Sequence, residues 1–267
     1  MNGVFKPSWL LLGLFSWLVL LFLIAPIIAI VPLSFNSEPY MSYPMAGFSL
    51  RWYEAVLTSS QWTAALKSSL IVGTATTVIA TTLGTMAAFG LVRKGMPKAQ
   101  MVMGILLMPL AIPVVTVALA LYLVFSRIGL TNSYLGLIIA HTVLATPFVL
   151  VTVTSALANF DFALLRAGAS LGAGPLTVFR RITLPIILPG VLTGALFAFI
   201  TSWDEVVVAL FIAGPEQRTL PRQMFAGLRE QLDPSILVVA SLLIAISICL
   251  ALFGFLIRLR GKKLSRR

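Results

Sequence analysis

Two adjacent carboxylates, Asp204 and Glu205, stand inside an apolar run, in the order Ser202-Trp203-Asp204-Glu205-Val206. If that run crosses a bilayer, each ionised acid costs about 2.5–3.5 kcal/mol at depth, so the pair requires a partner. Neighbouring helical positions point about 100° apart, so one acid can face a solute path while the other meets the protein. A cation is the simplest solute to balance the first, and Trp203 offers a ring face for cation–π attraction. The competing reading is structural: the acids bond to polar groups on other spans, or a break near Thr201 and Ser202 lets them reach water. Elsewhere the chemistry is sparse. His141 is the single histidine, too few for a metal site, and is expected to serve as an interhelical hydrogen-bond partner. Cys249 is the single cysteine, which excludes a disulfide framework and points to an inert packing residue. No Gly-x-x-x-x-Gly-Lys-Ser/Thr phosphate loop occurs. With no Ser/His/Asp, Cys/His or metal cluster either, the chain is not expected to be an enzyme or to hold a cofactor.

A second segment carries a pattern of a different kind. Between Asn159 and Pro185 the chain reads Leu164 to Leu171, rich in helix formers, then Gly172 as a helix stop. Pro175 is suited to the first turn of a second helix. Val178, Phe179 and Ile182 then form an apolar face beside Arg180 and Arg181, leading through Pro185 into the next apolar run. A plain connector needs two to eight residues, so a helix–turn–helix here implies that something docks on it or that it lies on the membrane surface.

The elements that position these residues are membrane helices. The chain is 59% hydrophobic and 10% charged, with mean hydropathy +1.03, too apolar for a soluble surface. Six runs are long enough to span: 9–33, 70–92, 101–125, 134–157, 186–212 and 236–257. The expected fold is all-α, a single transmembrane domain over residues 1–267. The first run is too long for a signal-peptide core and is read as retained. Pro26 and Pro32 are expected to kink or end it, and Pro109 and Pro113 to bend the third. The net charge of +11 does not point to nucleic acid, because the cations sit in short loops and the tail. Lys6, Arg93, Lys94, Lys98, Arg166, Arg180, Arg181 and the cations of Arg258 to Arg267 make 13 of the 19 basic residues on one side of the six-span topology. That side is expected to be cytoplasmic, with both termini there and the tail against anionic lipid. The outer segment Ser34 to Ser69 carries Phe48, Trp52, Tyr53 and Trp62, as interfacial anchors or as a face for a docking partner.

The spacing Gly172, nine residues, Ile182-Thr183-Leu184-Pro185 resembles the cytoplasmic loop of binding-protein-dependent ABC importer permeases. That loop is written Glu-Ala-Ala, three residues, Gly, nine residues, Ile, any residue, Leu, Pro. Phe48-Ser-Leu-Arg-Trp-Tyr53 and Ala65-Leu-Lys-Ser-Ser-Leu70 also stand where the family has similar wording. The chain departs from the pattern at Arg166-Ala167-Gly168, where a basic residue replaces the acid. The resemblance implies a type I importer fold with a coupling helix set in a groove of an ATPase subunit. The residues it assigns to coupling are Arg166, Ala167, Gly168, Ser170, Leu171, Gly172, Phe179, Ile182, Leu184 and Pro185. Asp161 or an acid of the ATPase is then the partner expected for Arg166. The acidic pair, followed by Val-Val-Val-Ala-Leu-Phe and Thr219-Leu220-Pro221, resembles permeases of the spermidine/putrescine type.

The resemblance therefore implies an inner-membrane permease subunit for a small cation, with Asp204, Glu205 and Trp203 along the substrate pathway. Its implied partners are a second, related permease, two ATPase subunits that bind ATP and magnesium, a periplasmic binding protein and the lipid bilayer. Another small solute, such as an amino-acid-like compound, an opine or ferric iron, is an alternative cargo. An ion-coupled carrier using Asp204 and Glu205 is an alternative of another class, but it has no need of the Gly172 to Pro185 loop and no internal repeat supports it.

Overall fold

The computed structural model describes residues 7–92, 96–230 and 234–264. Lys6, Arg93, Lys94, Arg266 and Arg267 of the basic count lie outside them, as do the side chains of Arg229 and of the tail from Arg258. The described chain is built from helices in the order α1 (Pro7–Leu33), α2 (Arg51–Thr58), α3 (Ser60–Val92), α4 (Ala99–Ala111), α5 (Val114–Ile128) and α6 (Tyr134–Ala158). There follow α7 (Ala163–Ser170), α8 (Pro175–Val178), a π-helical turn (Phe179–Thr183), α9 (Leu184–Trp203), α10 (Val207–Ile212), α11 (Leu220–Glu230) and α12 (Ser235–Leu264).

Four helical stretches are each long and apolar enough to cross a membrane: α1, α3, α6 and the continuous Pro175–Trp203. The 101–125 run is not straight. It divides into α4 and α5, bent by 103°, because Pro113 has no N–H to give and holds an extended ψ of 131° before α5. Counted as one broken span, the pair is a fifth crossing. The last run lies in α12, whose apolar stretch Ser235–Leu250 is shorter within the described side chains. The second run begins earlier than its apolar pattern: α3 starts at Ser60, its polar first turns helical like the rest. Pro26 and Pro32 both sit inside α1, which ends at Leu33.

The chain forms two compact units. In the unit of residues 1–59 and 226–245, Phe35 stacks between Phe48 at 4.9 Å and Tyr53 at 4.8 Å. Ser34 Oγ and Tyr53 OH lie 2.8 Å apart. The outer-segment aromatics Phe48 and Tyr53 thus build a small stack of their own, to which Phe35 is central. In the unit of residues 60–225 and 246–267, α3, α6 and α9 pack on one another around Ala80, Ala145, Val149, Val153 and Ile187. The backbones approach closely through small residues: a Cβ on Gly84 of α3 would stand 2.7 Å from Val149 Cβ of α6. Such contacts replace the hydrophobic drive that helices lack in lipid. α10 packs on α5 and α6, around Ala118, Leu137, Ala140, Val208 and Ile212.

Candidate functional site

The segment from Asp161 to Pro185 folds as a hairpin of short helices. Asp161 Oδ1 accepts the Ala163 N–H at 2.8 Å and so starts α7. α7 ends at a turn on Gly172, whose φ of +81° is the left-handed region that penalises a side chain. Ala173 N–H donates to Gly168 O and Gly172 N–H to Ala169 O, closing the helix end. Pro175 then opens α8 in the first turn. The returning helical segment of this hairpin packs tightly, because a Cβ on buried Gly168 would lie 3.0 Å from Ile182 Cδ1 and 3.1 Å from Val178 Cγ2. That contact is a physical reason for glycine at the third position of Arg166-Ala167-Gly168.

The side chains sort into two groups. Val178 is buried, Ile182 is half-buried against Gly168, and Phe179 meets Phe89 of α3 edge to face at 5.7 Å. Phe179 and Ile182, expected from the pattern to couple to a partner, are turned inward and brace the loop. The most exposed large apolar side chains are instead Leu171, 88% exposed, and Leu176, 60% exposed, with Leu164 at 39%. Leu176 carries no motif signal, and its exposure is decided by which side of α8 meets α7. Arg166, Ala167, Ser170, Gly172, Arg180, Arg181 and Pro185 are exposed beside them, and Leu184 is half-buried. Asp161 accepts the Ala163 N–H from one residue before the N-cap, Phe162, and makes no ion pair with Arg166, so the intrachain partner expected for that arginine is absent among the described residues. A groove of about 790 Å³ runs between the end of α3 and this loop, walled by Phe89, Val92, Phe160 and Leu165 with Asp161 and Arg166 at its polar side.

The second site lies where the 186–212 run breaks. The last rung of α9 is Asp204 N–H to Ile200 O at 3.1 Å, and α10 starts only at Val207. Glu205 Oε1 accepts the Val208 N–H at 2.9 Å, satisfying an otherwise free donor of the six-residue α10. Asp204 is exposed and Glu205 half-buried. The two acids therefore divide the roles that the sequence left open: Glu205 holds the backbone, and Asp204 is the carboxylate presented outward. Trp203 is 3% exposed, with its ring stacked on Phe199 at 5.4 Å. The ring face expected to meet a cation is covered by the protein's own phenylalanine. Directly behind the break, His141 Nδ1 of α6 lies 2.8 Å from Ser202 Oγ of α9, as the interhelical role expected for this histidine requires. Cys249 departs from its expected packing role, because its place on α12 is exposed.

Past α10, the segment 213–219 is pinned to the tops of α3 and α6. Leu220 N–H donates to Ser69 Oγ at 2.8 Å, and Tyr134 OH donates to Glu216 O at 3.2 Å while lying 2.8 Å from Ser68 Oγ. Arg222 Nη1 donates to Gly214 O at 2.6 Å. Burial, then the neighbouring Arg218 charge, draws the Arg222 guanidinium below its usual range. Residues Ser60, Gln61, Glu216, Arg218 and Gln223 border a polar cavity of about 310 Å³ there.

Comparison with known proteins places these features in a family. Residues 80–267 match the binding-protein-dependent transport system inner membrane component. The chain is similar to the spermidine/putrescine transport system permease protein PotC of Haemophilus influenzae, 32% identical over 91% of this chain and 94% of that protein. It is 35% identical to the putrescine transport system permease protein PotI of Escherichia coli, over 84% of this chain and 82% of that one. Among solved structures, a chain of a bacterial ABC transporter that imports the acidic polysaccharide alginate shares the fold, with a TM-score of 0.70 at 15% identity over 96% of this chain and 98% of that one.

Proposed function

Since the chain belongs to the family of binding-protein-dependent transport system inner membrane components, we propose that it forms half of an ATP-driven path for a polyamine-like cation across the inner membrane. The observation that carries this reading is Asp204: an exposed carboxylate at a helix break within an apolar run, in a chain whose relatives are named for spermidine and putrescine. A carboxylate there offers a flexible dication a charge partner at the cost of little side-chain ordering, while Glu205 and the Phe199–Trp203 stack keep the break in place.

The chain supplies the membrane path and not the hydrolysis. ATP and magnesium bind to separate ATPase subunits, two to a complex, beneath this chain and a related second permease; a periplasmic binding protein delivers the cation. The Asp161–Pro185 hairpin is the contact for one ATPase. Leu171 fills an apolar socket, and burying such a side chain is worth about 1.5–3 kcal/mol. Arg166, Arg180 and Arg181 around it suit a socket with an acidic rim. Because α7 is wedged on Val178 and Ile182 without space to slide, the hairpin moves as a rigid body, and nucleotide binding biases the permease between inward and outward packings. Both termini are cytoplasmic in this arrangement, on the side of the basic-rich segments.

The test is reconstitution of the whole transporter in proteoliposomes with labelled putrescine. Uptake is expected only with ATP and to stop when the ATPase is made hydrolysis-dead. Uptake that continues on an ion gradient alone overturns the ATP-driven reading, and uptake of a neutral solute in preference to putrescine overturns the cation reading.

A further inference from the structure

The geometry points to His141 as a positioning residue: through Ser202 it ties the end of α9 to α6 and so fixes where the Asp204 carboxylate emerges. The inference rests on the reading of Asp204 as the cation-facing group and adds to it the part that aims that group.

Three observations carry it. First, the bond crosses between helices where the fold offers a local alternative. Thr142 and Thr146 of α6, Thr152 further along it and Thr193 of α9 all donate to carbonyls within their own helix. Ser202 instead meets His141 Nδ1 at 2.8 Å, 61 residues away in sequence. Second, the bond sits at the last point where α9 is still regular. The final rung accepts at Ile200 O, Trp203 closes the helix, and Asp204 follows two residues after Ser202. A helix end that frays can rotate, and a rotation of one residue turns an adjacent side chain by about 100°; a tether at Ser202 removes that freedom. Third, the residue giving the tether is anchored. His141 is 1% exposed in α6, the helix with 61% of its apolar window buried. Its Nε2 is buried with no hydrogen-bond partner among the described residues, so Nδ1 is the ring nitrogen that ties this helix to another. A leucine would fill the same apolar surroundings with no bare nitrogen, so packing gives no reason for a histidine. With Glu205 fixed on the far side by the Val208 N–H, Asp204 stands between two anchored neighbours.

The complete transporter in proteoliposomes decides it, read as labelled putrescine moved per ATP hydrolysed. Loss of assembly lowers transport and substrate-dependent hydrolysis together, whereas a misaimed carboxylate lowers the ratio. Ser202→Ala and His141→Leu are each expected to lower the ratio by about tenfold, and the double variant by no more than the worse single one, because both remove one bond. His141→Asn, whose amide reaches the position of Nδ1, is expected to keep the ratio within about threefold of the unaltered protein. An unchanged ratio in Ser202→Ala, additive losses in the double variant, or an asparagine no better than leucine each overturns the tether. Ser202→Ala removes one oxygen and leaves α9 intact, so it decides the matter even where His141→Leu does not assemble. Asp204→Asn is run alongside: a low ratio there with a normal Ser202→Ala sinks the tether alone, and a normal ratio there sinks the cation reading together with the purpose assigned to the tether.

Discussion

At Gly172 the chain turns on backbone alone, whereas at Asp204 the turn is held by side chains from two helices. The first needs one glycine at φ +81° and two backbone hydrogen bonds. The second needs Glu205 on the Val208 N–H and His141 on Ser202 Oγ. In the proposed reading the hairpin around Gly172 transmits motion as a rigid body, and local geometry suffices for that. In the same reading the break at Asp204 holds a charge at a set place along the path, and side-chain hydrogen bonds complete the backbone that the bilayer core cannot. Its control is therefore spread over α6, α9 and α10.

This comparison can be broken at several points. The largest effect is expected from Leu171→Asp, which sets a charge into the proposed apolar socket and should lower substrate-dependent ATP hydrolysis by about thirtyfold with the complex still formed. Near-normal hydrolysis would remove Leu171 from the docking face. Gly168→Val comes next, because its side chain has no room against Ile182 and Val178; it should destabilise the assembled permease by about 1–3 kcal/mol, read as a lower melting temperature in detergent. Gly172→Ala should cost only about 1–2 kcal/mol, since nothing lies within reach of its Cβ and the penalty is the backbone's alone. Glu205→Gln keeps an oxygen for the Val208 N–H and should change transport by less than about threefold, against a large loss for Asp204→Asn. Equal losses from the two would erase the division of roles between the acids. The smallest effect is assigned to Arg166→Glu: an exposed charge contact is worth about 0.2–1 kcal/mol, and its loss should shrink further as salt is raised.

The two regions also differ in how far sequence alone describes them. Gly172 and Pro175 mark backbone states through their own chemistry, and both stand where their residue types require. The apolar runs likewise foretell α1, α3 and α6. Exposure within the hairpin is another matter: Phe179 and Ile182 resemble a docking face, yet Phe179 meets Phe89 of α3 and Ile182 meets Gly168 of α7, while Leu171 and Leu176 stay outside. The 186–212 run reads as one span by length, and the break before Val207 is announced only by the two acids and by Thr201 and Ser202 ahead of them, one of the two readings their sequence left open. Periodicity within α6 and α9 does not report which of their residues meet, so the pairing of His141 with Ser202 has no local signature beyond the rarity of a histidine in an apolar run. Pro113 announces the bend that divides its run into α4 and α5, but not its 103°.

The most direct test of the account compares Asp204→Asn with Leu171→Asp in the reconstituted transporter, each read as putrescine moved per ATP hydrolysed. If one region transmits and the other conducts, Leu171→Asp lowers both quantities together and leaves their ratio intact, while Asp204→Asn lowers the ratio by about tenfold or more. A ratio preserved in Asp204→Asn and lost in Leu171→Asp contradicts the assignment of the two regions.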